Sequence, residues 1–158
     1  MLFVGSQKWS DTWCVESLFN VFRPINGKQI LWSGSNDSRE PIADIVDEKD
    51  HNDEVGLAKF HQALKSVIKH PYIAAEDIKV ILVTPPPLGM EFQHTTDANG
   101  ELVCIRSAVR TKKYIAKVRA IAKEHNLLLC DTESLLLEKA ESCPSGLSSL
   151  SEDGKYSY

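Results

Sequence analysis

Apolar residues along this chain recur with two alternating rhythms. From Glu54 to His70, Leu57, Phe60, Leu64, Val67 and Ile68 return every third or fourth position, while Lys59, Gln62, Lys65 and Lys69 fall between them. That period predicts an amphipathic helix, stopped by Pro71. A second helical pattern covers about Arg106 to His125, with Val109, Ile115, Val118, Ile121 and Ala122 on or near one face. Arg106, Arg110, Lys113, Lys117 and Lys123 mostly occupy the other, and Asn126 closes the helix. Between the helical stretches lie short, nearly continuous apolar runs: Gln29 to Ser33, Ile78 to Thr84 and Leu127 to Asp131. All three read as strands: Ile30-Leu31-Trp32 suits one buried on both faces, and Ile78–Thr84, rich in β-branched residues, is the clearest and reads as a central parallel strand.

The flanks follow the same logic. Trp13 to Phe22 carries apolar residues at helical spacing, ended by Pro24 and Gly27; residues 132 to 140 are helix-prone, and residues 141 to 158, with Pro144, Gly146 and several serines, read as a loose tail. Two segments lack either period. Asp37 to Asp53 is acidic and polar and reads as a long loop, either functional or a simple surface excursion; residues 90 to 101 read as a flexible loop that could cover a cleft. The order helix, strand, helix, strand, helix, strand, with connections long enough for crossovers, predicts an α/β domain with helices on both faces of a parallel sheet.

Composition narrows the function classes. With 158 residues the chain has the size of a single domain, and a formal net charge of -4 with a pI near 5.7 supplies no electrostatic reason to expect nucleic acid or an anionic membrane as a partner. The basic stripe of the second long helix lacks interleaved aromatics and is expected to be a solvated face. The amino-terminal Met1-Leu2-Phe3-Val4 is too short an apolar run for a signal peptide, and no run approaches membrane-spanning length, so a cytoplasmic protein is expected. Cys14, Cys104, Cys130 and Cys143 form no C-x-x-C pair, and His51, His61, His70, His94 and His125 are dispersed. Neither a metal nor another cofactor is expected.

The candidate chemistry sits where the apolar run Ile30-Leu31-Trp32 breaks into Ser33-Gly34-Ser35-Asn36-Asp37-Ser38. Ligands of open α/β sheets bind outside the carboxyl ends of strands, and a loop of small polar residues there can aim a side-chain amide without crowding a substrate. Gly-Ser-Asn-Asp is also ordinary turn chemistry. The wider constellation is more specific. Gly34-Ser35-Asn36-Asp37 after a strand, an amphipathic helix, the block Ile81-Leu82-Val83-Thr84-Pro85-Pro86-Pro87, then Arg110 and a helix leading to a strand that ends in Asp131, resembles the SGNH (GDSL-type) hydrolases. The branch it resembles most is that of the isoamyl acetate-hydrolysing esterases. The resemblance covers about Trp13 to Asp153 and implies a three-layer α/β/α, flavodoxin-like fold acting on small esters.

It also implies roles. Asn36 becomes an oxyanion-hole donor and Gly34 the residue that lets its loop lie close to the substrate; Asp153, in Asp153-Gly154-Lys155-Tyr156, takes the place of the motif acid. The family's nucleophilic serine belongs to a G-D-S block and its base to a D-x-x-H block. Here Phe3-Val4-Gly5-Ser6 offers Ser6 as the nearest serine, with Gly5 where the aspartate belongs, only twenty-eight residues before Gly34. Tyr156 stands at the histidine's position, and an unperturbed phenol, with a pKa of about 10, is a poor base at neutral pH. The resemblance therefore implies a domain lacking its first block and final helix, with negligible ester hydrolysis. It also implies an apolar sheet edge beside Ile30 and Leu31, open to self-association. The rival reading from the same residues is a non-catalytic α/β binding or scaffold module; a nucleotide or phosphate binder lacks a glycine-rich loop.

Overall fold

The computed structural model describes residues 27–35, 37, 38, 54–89 and 92–143. The expectations for the helix Trp13–Phe22, the polar segment 39–53 and the tail beyond residue 143 lie outside those residues. Among the described residues, three strands form a parallel sheet in the order β1-β2-β5, with β1 at Lys28–Trp32, β2 at Lys79–Val83 and β5 at Leu128–Cys130. The register pairs Leu31 with Leu82 and Trp32 with Val83, and Leu82 with Leu129 on the other side. All three strands thus end on the same rim. The alternation read from the sequence has become a parallel α/β sheet.

Helix α1 (Glu54–Ile68) links β1 to β2, and helix α3 (Ala108–Glu124) precedes β5. Both lie on one face of the sheet: Leu57, Phe60, Leu64 and Val67 of α1 and Tyr114, Val118, Ile121 and Ala122 of α3 join Leu31, Val80 and Leu82 in a single core. The rings of Phe60 and Tyr114 meet at 5.3 Å, tilted by 58°. Each such large side chain, taken from water, stabilises the fold by about 1.5–3 kcal/mol. At the far end of the two helices Lys65 Nζ lies 2.7 Å from Glu124 Oε1, and this contact lowers the Glu124 carboxyl from its ordinary value. Helix α4 (Thr132–Glu141) follows β5.

Pro71 stops α1 as expected, but it also begins something. It occupies the first turn of a short helix α2 (Pro71–Ala75), where its missing N–H costs nothing, and His70 caps that turn by accepting from the Tyr72 N–H at 3.2 Å.

Two expectations are corrected. Of the flexible loop expected over residues 90 to 101, the described part, 92 to 101, is a strand and its turn: β3 (Phe92–Thr96) pairs antiparallel with β4 (Leu102–Ser107) in a hairpin. Its turn is made by Asp97, whose carboxylate accepts from the N–H groups of Asn99 at 2.8 Å and Glu101 at 2.9 Å, with Gly100 at φ +87°. These N–H donors hold the Asp97 carboxyl below its ordinary value. The half-polar strand Phe92-Gln93-His94-Thr95-Thr96 carries little apolar signal of its own, and it is the partner strand that makes it a strand. The second correction concerns the basic stripe. Helix α3 starts at Ala108, with Ser107 as N-cap accepting from the Arg110 N–H at 3.1 Å, so Arg106 belongs to β4. Arg106 and Arg110 are buried at 4% and 6% exposure, whereas Val109 is 40% exposed. At about 100° per residue, Arg110 falls within about 20° of Ile121, while Val109 lies about 180° from Val118.

Candidate functional site at the carboxyl rim

The three parallel strands deliver three chain exits to one rim: Ser33–Ser38 after β1, Thr84–Leu88 after β2 and Asp131 after β5. The first exit is a tight turn. The Ser38 N–H donates to the Gly34 carbonyl at 3.0 Å, and the Ser38 hydroxyl donates to the Ser35 carbonyl at 2.8 Å. Gly34 has φ +96°, and a Cβ there would stand 3.0 Å from Pro85 Cγ and 3.5 Å from both Phe60 Cζ and Tyr114 Cβ. Only a residue without a side chain satisfies both the angle and the contact. The structure therefore seats the turn directly on the first proline of the second exit. Pro85, Pro86, Pro87 and Leu88 are all buried, a stiff wall beside the turn.

Of the four site residues that the sequence suggests, Gly34 is placed at this rim; Asn36, Ser6 and Asp153 lie outside the described residues. The expected loop does not start as a surface excursion: Asp37 is 2% exposed and Ser38 is wholly buried, because the turn folds back onto the end of the sheet. Ser33, also buried, has no hydrogen-bond partner for its hydroxyl among the described residues.

The third exit holds a charged network that sequence reasoning missed. Arg119 of α3 makes a bidentate pair with Asp131, Nε to Oδ2 at 2.9 Å and Nη2 to Oδ1 at 2.8 Å, and its Nη1 lies 2.9 Å from Glu133 Oε2. The Ser134 hydroxyl donates to Asp131 Oδ2 at 2.9 Å, and the Ser134 N–H donates to Oδ1 at 3.3 Å, the N-cap bond of α4. Burial works to raise the Asp131 carboxyl, but the hydrogen bonds from Arg119 and Ser134 and the Arg119 charge outweigh it and hold it below its ordinary value. Arg119 is correspondingly raised, chiefly by its hydrogen bonds to Asp131.

The network reaches β2 through Thr84, which is wholly buried. Its hydroxyl donates to Asp131 Oδ1 at 3.3 Å, the Thr132 hydroxyl donates to its carbonyl at 2.5 Å, and its N–H donates to the Cys130 carbonyl at 3.1 Å. The residue before the proline wall is thus locked to the exit of β5. The signal for this in the sequence was the N-cap pattern Asp131-Thr132-Glu133-Ser134.

Among the described residues, no group of three or more His, Cys, Asp or Glu side chains is arranged to hold a metal ion, and no helix is long and apolar enough to cross a membrane. Cys104, Cys130 and Cys143 are free thiols, and burial raises that of Cys104.

No protein-family model matches the chain, and no curated protein matches its sequence. Among solved structures it is similar to the lipase/acylhydrolase from Enterococcus faecalis, with 22% identity, 92% of this chain and 62% of that one covered, and a TM-score of 0.51. The chain thus spans less than two thirds of that protein's length. A parallel sheet, helices packed on it and strand exits gathered on one rim give this chain the α/β fold of that lipase/acylhydrolase.

Proposed function

We propose that this chain is an SGNH-type esterase homologue whose carboxyl rim receives the acyl carbonyl of a small ester, with Asn36 as oxyanion donor, and that it hydrolyses such esters negligibly. The observation that supports this reading best is the seating of Gly34 on Pro85. It joins the G-x-N-D turn to the strand-TPPP exit at the end of the sheet where α/β proteins bind ligands. Similarity to a lipase/acylhydrolase fold adds to it. Chemically, the turn would supply a preorganised donor for the charge that develops on a carbonyl oxygen, an effect of about 3 kcal/mol per donor in well-studied hydrolases. Hydrolysis needs more. The G-D-S serine and the D-x-x-H histidine have no counterpart at matching positions of the sequence, and one donor without nucleophile or base retains a small fraction of the machinery.

Two measurements test this. A short-chain methyl ketone, isosteric with an ester but not hydrolysable, should shift the backbone amide resonances of Gly34, Ser38 and Leu88 in the full chain; shifts confined to other regions would remove the rim from consideration. In parallel, p-nitrophenyl acetate should be hydrolysed no faster than by the Asn36→Ala variant. Turnover abolished by Asn36→Ala would overturn the expectation of inactivity, and its loss in Ser6→Ala would identify the nucleophile.

A further inference from the structure

The turn that bears Gly34 contains a carboxylate that is almost wholly removed from solvent. Asp37 is 2% exposed, and a buried carboxylate stays ionised only where hydrogen-bond donors or a cation close by replace its water, failing which it takes up a proton. Few described cations are available to it. Arg119 is committed to Asp131 and Glu133, Lys65 is committed to Glu124, Lys113 and Lys117 are only half-buried, and the other described lysines are exposed. Among the described residues, Arg106 and Arg110 are the lysine or arginine side chains that are buried, at nearly the depth of Asp37. Arg110 is the better placed of the two. Its guanidinium carbon lies 5.9 Å from the centroid of the Tyr114 ring, and Tyr114 Cβ is one of the atoms against which Gly34 packs. From Gly34 the turn needs only three residues to reach Asp37, and the Ser38 N–H closes it back on the Gly34 carbonyl.

We propose that the Arg110 guanidinium holds the buried Asp37 carboxylate, and that this pair positions the Gly34–Ser38 turn. Gly34 is pinned on one side by Pro85, Phe60 and Tyr114; Asp37 is pinned on the other by the first turn of α3. The two anchors flank position 36 in the sequence, so Arg110 acts on the rim through the turn and is a positioning residue. The pairing itself rests on burial and charge. Its functional meaning rests on the reading of the turn as an oxyanion loop.

Carboxyl-carbon NMR titration of the full chain tests the pair. Asp37 should titrate below the ordinary carboxylate value, and Arg110→Met should raise its midpoint by at least about one pH unit, as loss of an adjacent opposite charge does. Arg106→Met should move it by less than half as much. An Asp37 that titrates above the ordinary value in the unmodified chain would overturn the proposal, as would one indifferent to Arg110→Met. Should Arg110→Met not fold, an Asp37 that titrates above the ordinary value in the unmodified chain still overturns the proposal, and Arg110→Lys, which keeps the charge, should leave the midpoint low. Positioning has its own readout: the side-chain amide signals of Asn36 in protein labelled with ¹⁵N-asparagine should shift in Arg110→Met and return part of the way in Arg110→Lys, and unchanged signals would refute that role. No ester is present in these measurements, so the ketone and turnover experiments can fail without altering their outcome.

Discussion

Replacing Gly34 by alanine probes the junction on which the site is built. Two costs add at this position. The backbone stands at φ +96°, outside the left-handed region that a residue with a Cβ tolerates best, and holding alanine there costs about 1–3 kcal/mol. The new methyl also meets Pro85 Cγ at 3.0 Å. Pro85 is a rigid ring, wholly buried and followed by two more buried prolines, so it has little room to retreat, and overpacking of this kind costs about 1–3 kcal/mol. The sum, about 2–6 kcal/mol, is a large fraction of the stability of an ordinary domain. Gly100 separates the two effects, because its φ is +87° and a Cβ there would have nothing within 4 Å. Urea unfolding of both variants should show Gly34→Ala less stable than Gly100→Ala by at least about 1 kcal/mol. Equal losses would mean that the turn does not rest on the proline wall, and the argument that joins the two motifs would fall with it.

Two further outcomes are expected. Asp131→Asn should destabilise the chain at pH 7 by about 1–2 kcal/mol, since it breaks a partly buried bidentate pair. Because the folded Asp131 carboxyl lies below its unfolded value of about 3.8, this contribution is fully present above that pH and is lost as pH falls through the folded value; the stability gap between variant and parent should therefore close below about pH 4, measured by urea titration across that range. Leu82→Ala, at the wholly buried centre of the sheet, should cost about 2–5 kcal/mol, and a smaller loss by calorimetry would show that the core collapses around the cavity.

Helix α1 and strands β1, β2 and β5 were legible in the sequence because each carries its period in its own residues. A stripe of Leu57, Phe60, Leu64 and Val67 can bury itself in only one way, and Ile78–Thr84 is too apolar to lie anywhere but inside. The hairpin was not legible. Phe92–Thr96 becomes a strand through pairing with Leu102–Ser107, and hydrogen bonds between chain segments leave no local pattern. Arg106 and Arg110 were misread for a related reason: charge predicts exposure only where no buried partner or ring offsets desolvation, and hydropathy takes no account of the Tyr114 ring or the N-cap at Ser107.

The candidate site divides along the same line. That a glycine, an asparagine and an aspartate follow a buried strand is written in residues 33 to 38, and so is the proline block after β2. Their contact is not. It requires β1 and β2 to lie side by side, parallel and in the register that pairs Trp32 with Val83, so that both exits reach one rim. Pairing and register are set by the burial of α1 and α3 on a common face, a property of the assembled core, and the same assembly brings Arg119 to Asp131 across twelve residues of chain. Local periodicity determined which segments form elements and which sides they bury; packing decided which polar residues meet.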